Sequence, residues 1–281
     1  GKEFYSIHFA FTILFNGLIV IGYTVYGGTK AVSYTQLFQM SIIFAGLFLA
    51  AYMVIHLLPQ DVGFIDALHI AGKMNKLNAI DSRFNLENRY NIWSGIIGGF
   101  FLQLSYFGTD QSQVGRYLTG RSITQSRLGL IMNGFIKIPM QFLILLIGAL
   151  VFTFYQFNAP PVFFNKVEVD RIENSVHKEE YEQLESQYQM VQKAKQIKVN
   201  ELVSALHVND ERAVDDLRYE LQAVDKKGLA IRHDITELMK KNDPSADTND
   251  TNYIFLIFVT QHLPVGVIGL LIAIIFLASM G

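Results

Sequence analysis

Charged residues are spread very unevenly along this chain, and that limits what it can fold into. The 281 residues include 23 Lys and Arg and 25 Asp and Glu, and the segment 165–250 holds 13 of the basic and 19 of the acidic ones. The remaining sequence consists largely of long uncharged stretches. A soluble fold needs charged and polar residues over its whole surface, so we predict an integral membrane protein with one polar insert.

Five apolar stretches have the length of about 20 residues that a helix needs to cross the hydrocarbon core of a membrane. Their apolar residues run on without alternating, which favours helices over barrel strands. The predicted fold class is therefore an all-α integral membrane protein with five transmembrane helices. These helices cover residues 4–27, 34–58, 90–109, 128–157 and 251–281. A tight turn is predicted between the first two, from Gly28 to Ser33.

The insert, residues 158–250, is predicted to be helical and to lie outside the membrane. Apolar residues recur at intervals of three and four in three stretches, which is typical of amphipathic helices. Breaks are predicted at Asn209–Asp210 and at Asp225–Gly228, and residues 241–250 are read as a flexible linker. Basic residues in the turn at Lys30 and in the 108–127 loop favour the cytoplasm for that side, which places the insert outside the cell membrane.

Composition excludes several classes of function. The chain has no Cys, so disulfide frameworks and thiolate metal sites are excluded. A formal net charge of −2 gives no electrostatic reason to expect a nucleic-acid partner. The sequence shows no phosphate-binding loop and no dinucleotide fingerprint, so no cofactor is predicted.

Lys137 is the one charge in the fourth apolar stretch, about ten residues from its start. A Lys at the centre of a membrane helix costs about 2.5–3.5 kcal/mol, so Lys137 is either a functional group or half of a buried pair. Gly108 breaks the third stretch beside Gln103, Tyr106 and Thr109. Broken helices with polar residues at the break are the usual construction of a transporter site. Pro264 is expected to kink or break the fifth stretch.

Three segments then match signatures of one family, in order and at the ends of predicted helices. The stretch from Gly27 to Gln39 resembles the pattern GG-x-x-A-V-x-x-T-D-x-x-Q of the sodium:solute symporter family. The stretch from Ser105 to Leu118 resembles its T-D-Q-x-x-V-Q-R segment, and Leu263 to Ala273 is similar to L-P-x-G-x-x-G-L-x-x-A. The matching motif residues are Gly27, Gly28, Thr35, Gln39, Thr109, Asp110 and Gln111.

The resemblance covers residues 1–157 and 251–281 and implies part of a five-plus-five inverted-repeat fold. The five helices would be core helices four to eight, and we expect the chain to be an internal piece of a longer protein. The resemblance implies substrate contacts for Gln103, Tyr106, Phe107 and Lys137. It implies backbone sodium contacts for Ala278 and Gly281.

The residues also depart from the family pattern at two positions. Gln36 stands where many members have Asp, and Gly281 stands where a Ser hydroxyl usually binds sodium. These differences favour a weak sodium site or another coupling ion in the intact protein.

The first hypothesis is a secondary active transporter, with sodium-coupled uptake of a small organic solute by alternating access. The alternative is a membrane sensor or receptor that keeps the symporter fold without net transport, which the large insert and the altered ion positions motivate. A membrane enzyme is disfavoured because no acid–base pair is apparent in the apolar stretches. The predicted partners are the solute and the lipid bilayer, and a protein partner of the insert is unknown.

Overall fold

The structure, a computed structural model, describes residues 2–77, 91–118, 120 and 122–279. The described residues form helices joined by short connections, with no strand among them. In chain order the helices are α1 Lys2–His56, α2 Phe64–Lys73, α3 Ile92–Gly108, α4 Gln111–Leu118, α5 Ile123–Phe157, α6 Lys166–Glu173, α7 Lys178–His207, α8 Glu211–Asn242, α9 Thr251–His262 and α10 Val265–Ser279. The predicted all-helical class is confirmed for these residues.

Helix α1 is two helices that meet at one residue. Gly28 has φ 57° and ψ −162°, a conformation that only glycine adopts readily. Helical geometry resumes at Lys30, so the predicted turn from Gly28 to Ser33 is wrong. One glycine with unusual dihedrals makes the break, and the residues after it keep their helical hydrogen bonds.

Two described helices are long and apolar enough to cross a membrane, namely Lys30–His56 and Ile123–Phe157. Ile13–Gly28 and Ile92–Gly108 are apolar but shorter. The fifth stretch is divided, because α9 ends at His262 and α10 begins after Pro264. The predicted break at Pro264 is confirmed, whereas the count of five spans stays a prediction.

The chain divides into two compact units. Unit 1 comprises Gly1–Leu49, Ile80–Ile144 and Pro264–Gly281, and unit 2 comprises Ala50–Ala79 and Leu145–Leu263. Unit 2 therefore combines the polar insert with the end of α1, helix α2, the last turns of α5 and helix α9.

Unit 2 is built on the antiparallel hairpin of α7 and α8. Tyr181 and Tyr188 of α7 pack with Ile235, Leu238 and Met239 of α8 in one apolar cluster. A second cluster nearer the tip of the hairpin joins Val199, Leu202 and Ala205 to Val214 and Leu221. The buried face of α2 carries Ala67, Ile70 and Ala71, and the Ala67 carbonyl accepts a hydrogen bond from Thr153 Oγ1 on α5 at 3.1 Å.

The predicted break at Asn209–Asp210 is confirmed. Asn209 has a positive φ of 55°, and Asp210 Oδ1 accepts a hydrogen bond from Ala213 N at 3.1 Å, which caps α8. The predicted break at Asp225–Gly228 is wrong, because α8 runs through it. Asp225 pairs with Lys195 of α7, and Gly228 is buried against α7, so these residues form the helix contact.

Residues 243–250 are not helical, yet they are held to the rest of unit 2. Asp250 is only 5% exposed, and its carboxylate accepts hydrogen bonds from Arg232 and from the backbone of Phe164. Ala246 packs against the cluster around Tyr181. The predicted flexible linker is wrong for this segment, since long-range polar contacts fix its end.

Candidate functional site

Two residues that the sequence predicts as substrate contacts meet in unit 1. The ammonium Nζ of Lys137, on α5, lies 5.1 Å from the ring centroid of Tyr106, on α3. A cation over an aromatic face at this distance is attracted by the ring quadrupole, by about 0.5–1 kcal/mol when exposed and about 2 kcal/mol when desolvated. The pair places one positive charge against an aromatic surface.

Tyr106 owes its position to the way α3 ends. The carbonyl of Ser105 accepts hydrogen bonds from Thr109 N at 3.0 Å, Thr109 Oγ1 at 2.8 Å and Asp110 N at 3.2 Å. Asp110 then starts α4, because its Oδ1 accepts a hydrogen bond from Gln113 N at 3.2 Å. Thr109 and Asp110 of the motif therefore end one helix and cap the next, and Gln111 is the first residue of α4.

A series of aromatic ring contacts connects the end of α3 to α4. The rings of Tyr106 and Phe107 meet edge to face at 5.0 Å, and Phe107 stacks on Tyr117 of α4 at 6.4 Å. Ser126 Oγ, in the first turn of α5, donates to the Tyr117 carbonyl at 2.6 Å. These contacts join α3, α4 and the start of α5 around Tyr106 and Phe107.

Pro139 is a feature of the site that the sequence reasoning missed. It lies inside α5, two residues after Lys137, and it has no N–H to donate. The carbonyl of Phe135 therefore lacks its helical partner, which leaves a backbone acceptor within a turn of Lys137. A proline inside a long apolar stretch was the available signal.

Gln103 lies on α3 about one turn before Tyr106 and is exposed, as is Lys137, whereas Tyr106 and Phe107 are half-buried. The structure thus brings Tyr106, Phe107 and Lys137 into one cluster and places Gln103 on the helix that leads to it.

The first motif has a physical basis in α1. A side chain at Gly27 would clash with Cβ of Ala31, and Gly28 has the positive φ described above. Thr35 Oγ1 donates to the Val32 carbonyl at 2.8 Å, and Gln39 is half-buried. The two glycines therefore permit the break in α1, and their role at this level is conformational.

The predicted ion ligands lie at the end of the chain. Ala278 is in the last turn of α10. Gly281 lies outside the described residues. Among the described residues, no group of three His, Cys, Asp or Glu side chains is placed to hold a metal ion.

Known proteins match the part of the chain that contains this cluster. The sequence profile of the sodium:solute symporter family matches residues 2–174. The chain is 32% identical over 124 residues to the sodium/iodide cotransporter of Homo sapiens, covering 43% of this chain and 18% of that protein.

Two further relatives have similar coverage. Identity is 34% over 121 residues to the human sodium-coupled monocarboxylate transporter 1, with 43% of this chain and 19% of the relative covered. It is 27% over 152 residues to the sodium/glucose cotransporter of Vibrio parahaemolyticus, with 51% and 27% covered. The chain therefore spans 18% to 27% of the length of these relatives. No solved structure matches it significantly.

Proposed function

Because this chain belongs to the sodium:solute symporter family, we propose that it forms part of a transporter that couples uptake of a small organic solute to sodium. The three relatives described above carry "sodium" in their names and differ in their named solutes. The proposed mechanism is alternating access, in which the ion favours a state that binds solute from outside.

The contact between Lys137 and Tyr106 is the observation that carries this proposal. It joins a charge that is costly in a membrane helix to an aromatic ring at a helix break. The ammonium can donate hydrogen bonds to a carboxylate or to hydroxyl groups, and the ring offers a flat apolar face. We therefore propose solute contacts at Lys137, Tyr106, Phe107 and Gln103.

We also propose a membrane arrangement, which rests on the lengths of the apolar helices. Five spans, in a multi-pass protein of the cell membrane, would require local thinning of the bilayer around the short helices Ile13–Gly28 and Ile92–Gly108, and α9 with α10 to cross as a broken helix. We place the insert outside. Ser186 is exposed, so a cysteine there should react with an impermeant thiol reagent in intact cells. Labelling only after lysis would reverse the orientation.

Ion coupling is proposed through backbone contacts of Ala278 and Gly281, completed by other parts of the intact protein. Gly281 supplies no hydroxyl, so we expect weak sodium binding or use of another ion. Uptake by the full-length protein with sodium, lithium or an imposed proton gradient tests this expectation. A steep dependence on low millimolar sodium would contradict it.

The proposed solute site is tested in the full-length protein with a panel of labelled sugars, monocarboxylates and vitamins. For a transported solute, Lys137→Ala should raise KM about tenfold or more while the amount of protein in the membrane stays unchanged. Tyr106→Phe keeps the ring and should transport normally, whereas Tyr106→Leu should raise KM.

The opposite pattern would assign a structural role to the pair. If Lys137→Ala leaves KM unchanged and lowers the protein level or its melting temperature, the ammonium stabilises the fold and does not bind solute. Solute binding without uptake in the unmodified protein would favour the sensor alternative.

A further inference from the structure

A cavity of about 680 Å³ lies in unit 2, where the hairpin of α7 and α8 meets α5 and α9. Small-molecule sites commonly enclose about 300–1,000 Å³ and combine apolar walls with a few polar groups. The residues that line this cavity are different from those of the proposed solute site in unit 1.

One wall of the cavity carries two ion pairs. Lys195 Nζ lies 2.5 Å from Asp225 Oδ1, and Arg232 lies 2.8 Å from Asp250. The side chains of Lys195 and Asp250 are 9% and 7% exposed. Both carboxylates are thus already paired, so this wall has little capacity to attract a further cation.

The lining also contains three phenylalanines and a third cation. The phenylalanines are Phe152, Phe164 and Phe255, and Lys76 Nζ lies 5.0 Å from the ring centroid of Phe152. Within the described part of the chain, no carboxylate lies at ion-pair distance from Lys76. The lining therefore holds one more positive charge than negative charge, and that charge lies beside the Phe152 ring.

Two polar atoms beside the cavity also lack partners. The Tyr155 hydroxyl and Gln156 Oε1 are buried and have no hydrogen-bond partner among the described residues. Buried polar groups without partners are uncommon in native proteins, and a bound molecule is one way to supply them. Both residues are among those that line the cavity.

We propose that this cavity binds a small organic monoanion with a flat apolar body, its carboxylate at Lys76 and its body against Phe152 and Phe255. One negative charge matches the one cation of the lining that lacks an ion-pair partner among the described residues, whereas a phosphate dianion would exceed it. Lys76 is exposed, so a neutral ligand would gain no ion pair in place of water, and a cationic ligand would be repelled.

The test uses the purified full-length protein in detergent and two probes of nearly equal shape, benzoate and its neutral amide. All titrations use a Lys137→Ala background, so that binding at the proposed solute site does not contribute. Calorimetry should detect benzoate and should not detect benzamide at the same concentration. The result of this test therefore does not depend on whether the proposed transport function is correct.

Three variants locate the binding. Lys76→Gln should weaken benzoate binding about tenfold or more, because a charge-assisted hydrogen bond is lost. Gly148→Leu should abolish binding, since Gly148 lines the cavity and, apart from its own helix backbone, nothing lies within 4 Å of the position that a Cβ would take. Lys73→Gln is the matched control on α2, because Lys73 lines a different cavity, and it should bind normally.

Other results would overturn the proposal. No heat with benzoate would mean that the cavity is filled or closed in the intact protein. Equal binding of benzamide would remove the anion preference. Unchanged binding in both Lys76→Gln and Gly148→Leu would place the ligand elsewhere, and the melting temperature of each variant shows that it is folded.

Discussion

Replacement of Asp250 should destabilise the end of the insert more than replacement of an exposed residue on α8. Its carboxylate is 7% exposed and accepts hydrogen bonds of 2.8 Å from Arg232 and 2.9 Å from Phe164 N. These partners lie on α8 and in the segment that follows α5, and Asp250 itself immediately precedes α9. Asp250→Ala therefore removes contacts among three parts of unit 2 at once.

The expected cost follows from burial. Breaking a buried ion pair costs about 3–5 kcal/mol, because the remaining charge is left without a partner. Arg232 is 24% exposed, so water solvates it in part, and we expect a loss of about 3 kcal/mol. Asp250→Asn keeps an acceptor for Phe164 N and should cost about 1.5 kcal/mol.

Hydrogen exchange of the full-length protein in detergent measures this loss locally. The amide of Phe164 donates to Asp250, so a loss of about 3 kcal/mol should speed its exchange by about 150-fold. Glu237→Ala is the control on α8, because its pair with Lys240 at 3.1 Å is exposed and worth at most about 1 kcal/mol. Equal exchange of Phe164 in both variants would refute the energetic role of Asp250.

Three further predictions concern single positions. Gly228→Ala should stabilise α8 by about 0.5–1 kcal/mol, because the nearest atoms to the new methyl lie 3.7 Å away, and a lower melting temperature would contradict this. Gly28→Ala should cost about 1–3 kcal/mol through its φ of 57° and lower the amount of protein in the membrane, whereas Gly22→Ala should not. Burial raises the pKa of the Glu185 carboxyl, and the nearby Glu173 and Glu182 raise it further. The folded state therefore disfavours the charged form, so folding stability falls as pH rises from the ordinary pKa of Glu through this raised pKa. Glu185→Gln should therefore raise the melting temperature at pH 7 and have no effect in acid, and equal gains at both pH values would exclude the charge as the cause.

Local chemistry explains which breaks the sequence predicts correctly. Asp210 caps α8 by accepting a hydrogen bond from the amide three residues later, and Pro264 cannot donate within a helix, so neighbouring residues decide both breaks. Asp225 and Gly228 look similar in sequence, but their partners are on α7. Packing against α7 therefore overrides the tendency of these residues to end a helix, and the spacing of apolar residues in the sequence does not show this packing.

The candidate site also combines features that the local sequence predicts with features that depend on long-range packing. Lys137 stands out because it is charged in an apolar stretch, and Tyr106 stands out because it precedes a helix break, so both are predictable from sequence. Their mutual contact depends on how α3 and α5 pack, which required the structure. The contact of Phe164 with Asp250 spans 86 positions of the chain, and no local pattern predicts it.

The ion pair of Asp250 also limits how the chain can move. The hairpin of α7 and α8 leaves the end of α5 and returns to the start of α9 at one point, where Arg232, Phe164 and Asp250 are joined. The hydrogen bond from Phe164 N to Asp250 holds the segment after α5 against the start of α9, and the ion pair with Arg232 attaches α8 to the same carboxylate, so movement of these helix ends carries the hairpin with it. An antibody fragment bound across the hairpin would therefore hold both helix ends, and a fluorophore on the hairpin would report their displacement.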